Sequence, residues 1–190
     1  MTDEEDQRRQ WRLTWLTAIQ AFSDGETQNS RWLDPAELNP AHSFVECMCS
    51  YFDDARLREK SAYERKLTSG HVCVEEVAAV ADFHVLAGRY KSPSGDDYDH
   101  EAILRDEKWL KVVDAAERSR QRLLSLITDA VELTTLTRPL YWEERGGAFY
   151  ADLIGTRIMP TSKWVAEHEG KPLPSILDWL RRKLFGSPAS

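Results

Sequence analysis

Apolar residues recur along most of this chain at intervals of three and four, the period of helices that turn one face inward. In the first segment, Asp3 to Phe22, the side chains of Trp11, Trp15, Ala18, Ile19 and Phe22 share a face. The carboxylates at its start, Asp3, Glu4, Glu5 and Asp6, suit the positive end of a helix dipole. Asp24-Gly25 ends this helix, and a polar connection follows to Asn39, with Trp32 and Leu33 as anchors to the body. Asn39-Pro40 predicts the next start, asparagine as cap and proline in the first turn, where its missing donor costs nothing. Phe44, Val45, Met48, Tyr51 and Phe52 form that helix's inner face.

A charged stretch from Glu59 to Ser69 breaks at Ser69-Gly70. Val74, Val77, Ala78, Ala81 and Val85 then predict a third helix to Tyr90 with those residues inward. Lys91 to Asp99, with Pro93, Gly95 and paired aspartates, reads as a flexible loop over residues 91–99.

The strongest periodicity runs from His100 to about Leu136. Trp109, Val112, Ala116, Ser119, Leu123, Leu126, Ala130 and Leu133 alternate by three and four, with Leu110, Val113, Leu124, Ile127 and Val131 widening the stripe. So broad a face predicts one long helix packed centrally among several others. Past Arg138-Pro139, aromatics flank Gly146-Gly147, a pattern for either a small β-hairpin near 139–158 or two short helices. A short helix through Trp164 and an amphipathic one from Ser175 to Phe185 follow. The expected fold is mainly α: a single domain over residues 1–190, five to seven helices around one long central helix. Residues 137–190 form an irregular C-terminal subregion packed on the bundle.

Composition narrows the function classes. A chain of 190 residues with 42% hydrophobic and 30% charged residues can bury roughly 70% of its surface without disulfides or metal. The formal charge is −7, and the acidity is concentrated at the front. Residues 1 to 60 carry seven basic and twelve acidic side chains, residues 128 to 190 eight of each. Non-specific nucleic-acid binding, which depends on clustered cations, is not expected, although a local basic patch is compatible with this balance. Three cysteines, Cys47, Cys49 and Cys73, are an odd number and read as reduced thiols. No apolar run is long enough to span a bilayer, and the acidic start is unlike a secretory signal, so the expected location is cytoplasmic.

Phosphate-loop, dinucleotide and nucleophile-elbow motifs are absent. Cys47 and Cys49 lie about 200° apart around a helix and do not chelate one ion. Arg65 and His71 have a spacing used by some helical ribonucleases, but Gly70 interrupts it. His42 and Glu46 share a helical face and, with His84, are the candidate metal ligands, whereas no cofactor is indicated. His84, Glu117 and Arg120 interrupt apolar stripes on two helices; buried charges need partners, so these three are the candidates for a polar pocket with acid-base chemistry. Seven Trp, six Tyr and six Phe supply much of a core, but Trp32, Trp142, Trp164 and Trp179 lie in short or irregular segments, where complete burial is harder. Trp142, Trp164 and Trp179, with Arg181 and Arg182, are candidate partner-binding residues. The preferred functional expectation is a protein-interaction module, an adaptor or inhibitor with an acidic surface and exposed aromatics, engaging another protein. The alternative is an enzyme or metal-binding bundle with a His/Glu site between helices.

Overall fold

A computed structural model describes residues 2–34 and 43–137, which hold eight α-helices, one π-helical turn and no strand. The first helix, α1 (Asp3–Ser23), begins with a reciprocal cap: the Thr2 hydroxyl accepts from the Glu5 amide, and the Glu5 carboxylate accepts from the Thr2 amide. Its predicted inner residues are all buried, joined by Leu13, Leu16 and Gln20. Asp24 ends α1 and at once caps a second helix, α2 (Gly25–Arg31), by accepting from the Thr27 amide and hydroxyl. Part of the expected polar connection is therefore helical. Trp32 is buried after α2, as its anchoring role requires and although its segment is short, but Leu33 is exposed.

Ser43 caps α3 (Phe44–Cys49), so the described helix begins beyond the expected Asn39-Pro40 start; those two residues lie outside the described residues. The chain passes directly into a π-helical turn (Ser50–Asp54), whose wider spacing keeps Tyr51 and Phe52 both buried. Arg56 then takes a left-handed conformation, φ 55°, which costs an L-residue about 1–2 kcal/mol. Helix α4 (Ala62–Thr68) ends at Ser69-Gly70, where Gly70 adopts φ 66°.

Helix α5 (Val74–Arg89) forms where predicted but presents a different face. Its buried residues are Glu76, Ala79, Val80, Phe83 and Ala87, and Val77 is half-buried against the core as expected; Val74, Ala78, Ala81 and Val85 are exposed. The sequence is apolar nearly all around, and two residues choose the face. Phe83 has the largest apolar area to bury, and it packs against Phe22 and Tyr51. Glu76 is drawn inward by Arg12.

The predicted long helix from His100 to Leu136 is three helices: α6 (His100–Arg105), α7 (Glu107–Leu126) and α8 (Ala130–Thr137). Asp106 has extended backbone and caps α7 by accepting from the Lys108 amide. Extended Ile127 stops α7, and the Asp129 carboxylate accepts from the amides of Val131 and Glu132 at the start of α8. The apolar stripe holds from Trp109 to Leu123; beyond it the phase is lost, and Leu126 and Ala130 are exposed.

Helix α7 packs on α1 and α5, and α8 lies along α1. The centre is therefore shared by α1 and α7 rather than held by one helix. Trp109 is completely buried there, its ring within 5.1–5.6 Å of Phe22, Trp32, Phe44 and Tyr90. Its indole N–H donates to the Gln28 Oε1 at 3.0 Å, so the polar tip of a buried aromatic is satisfied. One continuous apolar cluster joins the described helices, and none of these helices is long and apolar enough to cross a membrane.

Candidate functional site

The outer face of α5 is the largest departure from the expected burial pattern. Val74, Ala78, Ala81 and Val85 recur at four, three and four, forming a stripe along one side of the helix. Val74 is 67% and Val85 45% exposed. Glu75 and Asp82, both exposed, border the stripe on one side, and Arg89 lies at its far end. Gly88 continues the line without a side chain, and the Phe52 ring of the same chain lies 3.6 Å from where a Cβ would stand.

On the opposite border stands His84, which ends a chain of buried polar groups. Trp15 Nε1–H donates to the Tyr63 hydroxyl at 2.9 Å, Tyr63 and Tyr51 hydroxyls lie 2.7 Å apart, and Tyr51 reaches His84 Nδ1 at 3.3 Å. Because an indole nitrogen only donates, every group is satisfied when Tyr63 donates to Tyr51 and Tyr51 donates to an unprotonated Nδ1. A proton on Nδ1 reverses the last link and leaves one of the two tyrosine hydroxyl hydrogens without an acceptor in the chain. Burial lowers the His84 pKa, in keeping with a neutral ring. Burial likewise raises Tyr51 and Tyr63, so both stay phenols.

Glu117 and Arg120 pair with each other instead of joining His84. Arg120 Nε and Nη2 donate to the two Glu117 oxygens at 2.7 and 2.8 Å, and Nη1 donates to the Leu136 carbonyl at 2.9 Å. This arrangement ties the end of α8 to α7, while the hydrogen bond of His84 goes to Tyr51. The expected three-residue pocket is thus two separate clusters. Glu46 sits in α3, where burial and then the charge of Asp54 raise its pKa. His42 lies outside the described residues, and so do Trp142, Trp164, Trp179, Arg181, Arg182 and the 139–158 hairpin. Among the described residues no group of three or more His, Cys, Asp and Glu side chains is placed to hold a metal ion. Cys47 is buried, Cys49 partly buried and Cys73 exposed, all free thiols.

A second buried polar cluster carries no local sequence signal. Arg12 of α1 donates from Nε and Nη2 to Glu132 of α8 at 2.6 and 2.7 Å. From Nη2 and Nη1 it donates to Glu76 of α5 at 2.6 and 3.1 Å, and from Nη1 to the His71 carbonyl at 2.7 Å. Glu76 also accepts from the Cys73 amide. Burial works against the charge of Glu76, but the hydrogen bonds from Arg12 and Cys73 outweigh it and hold the carboxyl below its ordinary range. One guanidinium thus joins three helices; its role is structural, because all its donors are occupied by the protein.

The local basic patch is real, and it lines a cleft. Arg56, Arg58, Glu59, Arg65, Lys66 and Ser69 surround a space of about 580 Å³ between the segment that follows the π-helical turn and α4. Arg58 pairs with Asp53 and Arg65 with Glu59, both in exposed ion pairs. Lys66 lies 4.3 Å over the Trp11 ring. Burial, then the charges of Arg56 and Arg65, lower the Lys66 pKa. The charged stretch from Glu59 to Ser69 supplies two of these cations, Arg65 and Lys66, and Arg56 and Arg58 come from just before it.

No family model, no curated protein and no solved structure matches this chain. The class defined by fold and surface is therefore a mainly α helical bundle that exposes an apolar helix face and a basic cleft.

Proposed function

We propose that this chain is a protein-interaction module whose recognition surface is the outer stripe of α5. The carrying observation is that Val74, Ala78, Ala81 and Val85 stand in water along the whole helix, although the same helix buries a complete second face. A helix with apolar residues on both sides has one side to spare for a partner. Amphipathic helices are read through such stripes, with anchors three and four apart.

The occupant that fits is an amphipathic helix of another protein. Ala78 and Ala81 permit close backbone approach, and Glu75 and Asp82 favour basic residues along that helix, with an acidic one opposite Arg89. A second copy of this chain fits less well, since it adds another −7 to the assembly and brings its own Glu75 and Asp82 to the contact. The cytoplasmic setting expected from the sequence is the natural environment for such an adaptor or inhibitor, and it belongs to the same proposal.

The test places a photo-crosslinking amino acid at Ala81 in the full chain, expressed in the source cell, and maps the crosslinked peptide by mass spectrometry. Support is a crosslink to an apolar helical peptide flanked by Lys or Arg, lost in Val74→Lys and Val85→Glu variants that keep the wild-type melting temperature. Crosslinks confined to residues 138–190 of the same chain, or to a second copy, overturn the reading. The alternative of a metal or acid-base site at His84 has no comparable supporting geometry, since the hydrogen-bonded neighbour of His84 is a buried phenol.

A further inference from the structure

The cleft beside α4 is independent of the α5 stripe and has a different chemistry. Its walls carry four cations, Arg56, Arg58, Arg65 and Lys66. Two carboxylates, Asp53 and Glu59, compensate Arg58 and Arg65. Four positive minus two negative charges leave a local surplus of two, on a chain whose net charge is −7. The uncompensated groups are Arg56 and Lys66. The Arg56 guanidinium has no hydrogen bond or ion pair among the described residues, and Lys66 rests on the Trp11 ring with like charges beside it.

Arg56 is also held where its presence is least expected. Its backbone is left-handed, a conformation that glycine adopts at no steric cost, and yet the residue there carries a long cationic side chain. On the adjoining side, the Arg8 guanidinium lies near Gly70, next to the Ser69 that lines the cleft, and Arg8 Nε is buried without a hydrogen-bond partner. A compact set of under-compensated cations with bidentate guanidinium geometry matches phosphate oxygens. The size of the cleft, about 580 Å³, lies within the range of small-molecule sites.

We propose that this cleft binds a compact anion bearing two or more phosphate groups, held chiefly by Arg56 and Lys66. Arg58 and Arg65 turn from their exposed carboxylates toward the ligand, and the Ser69 hydroxyl is at hand as a further donor. The same chemistry is offered by a free small molecule and by a phosphorylated lipid headgroup. An extended nucleic acid is disfavoured, because its length runs past the patch onto a negatively charged body.

Isothermal titration of the full chain with sodium tripolyphosphate, at 50 and 150 mM NaCl, tests the assignment. The expected result is one site per chain, weakened at least tenfold by Arg56→Gln and by Lys66→Gln, and unchanged within twofold by Arg105→Gln on α6. Arg56 is exposed, so its variant keeps the test decisive should Lys66→Gln disturb the packing over Trp11; melting temperatures are recorded for both. Sedimentation with phosphatidylcholine vesicles containing 5% phosphatidylinositol bisphosphate separates the sources: binding that tripolyphosphate displaces indicates a headgroup, and absence of binding a soluble ligand. The proposal is overturned if tripolyphosphate gives no saturable heat, or if Arg56→Gln binds it as the wild type does. It is equally overturned if single-stranded oligonucleotides bind more tightly than tripolyphosphate with affinity rising from 10 to 30 nucleotides.

Discussion

Removing Arg12 leaves Glu76 and Glu132 facing each other with no cation between them. The guanidinium side chain is only 15% exposed, and its partners are 8% and 11% exposed, so solvent offers little compensation. Deleting one member of a buried ion pair costs about 3–5 kcal/mol. Arg12→Met, which keeps much of the aliphatic stem, is therefore expected to lower stability by that amount, or roughly 6–20 °C in melting temperature for a chain of this size. Glu132→Gln is different: it removes one charge but leaves Arg12 and Glu76 paired, and an amide oxygen still accepts. Its expected cost is about 1–2 kcal/mol. Urea unfolding followed by far-ultraviolet circular dichroism gives both values, with the slope of the transition checked for constancy. An Arg12→Met loss below about 1 kcal/mol, or a Glu132→Gln loss equal to it, refutes the idea that the guanidinium is the shared counter-charge of the two carboxylates. Acid adds an independent check. The native Glu76 pKa lies below its ordinary value, so this part of the stability is fully present above about pH 4.3 and disappears as pH falls through the native value. Arg12→Met should flatten the acid limb of the stability profile.

Other outcomes follow from the same packing. His84 titrates below its usual value because burial penalises the imidazolium; the unfolded chain takes up that proton first, so stability falls as pH drops below about 6.5. Nuclear magnetic resonance titration checks the pKa, and His84→Gln should reduce the stability difference between pH 7.5 and 5.5; a native pKa at or above 6.5 contradicts the hydrogen-bond chain drawn from Trp15. Trp109→Ala empties the centre of four aromatic contacts and should cost about 3–5 kcal/mol by urea melts. Gly70→Ala should cost about 1–2 kcal/mol because its φ is positive. Gly88→Ala, by contrast, should gain roughly 0.4–1 kcal/mol, since an added Cβ meets the Phe52 ring at an ordinary 3.6 Å. Ellman's reagent should modify Cys73 first and Cys47 only on unfolding, as their exposures dictate.

Helix α1 and the buried part of α7 were legible because each has one apolar face and a polar remainder, so period alone fixes orientation. Period could not orient α5, whose valines and alanines lie on nearly every side; the choice was made by Phe83 and by the distant Arg12. The breaks before α7 and α8 had a local signal in Asp106 and Asp129, short acceptors that cap a new helix, but the continuous apolar rhythm masked it. Asp24 marked α2 in the same way. The basic cleft was partly visible, since Arg56, Arg58, Arg65 and Lys66 are close in sequence. Charge patterning does not report the left-handed backbone at Arg56, one of the residues that line the cleft. The Arg12 cluster draws on residues as far as 120 positions apart, beyond the reach of any spacing rule.

The interaction reading stands on which side of α5 meets water. In a variant with the three native cysteines replaced, single cysteines at positions 78, 81 and 85 are compared with those at 79, 80 and 83 by the rate of maleimide modification under native conditions. Fast reaction at the first three and strong protection at the second three is the predicted result. Equal protection of both sets would mean that the stripe is already covered within the chain, and would contradict a surface held open for a partner.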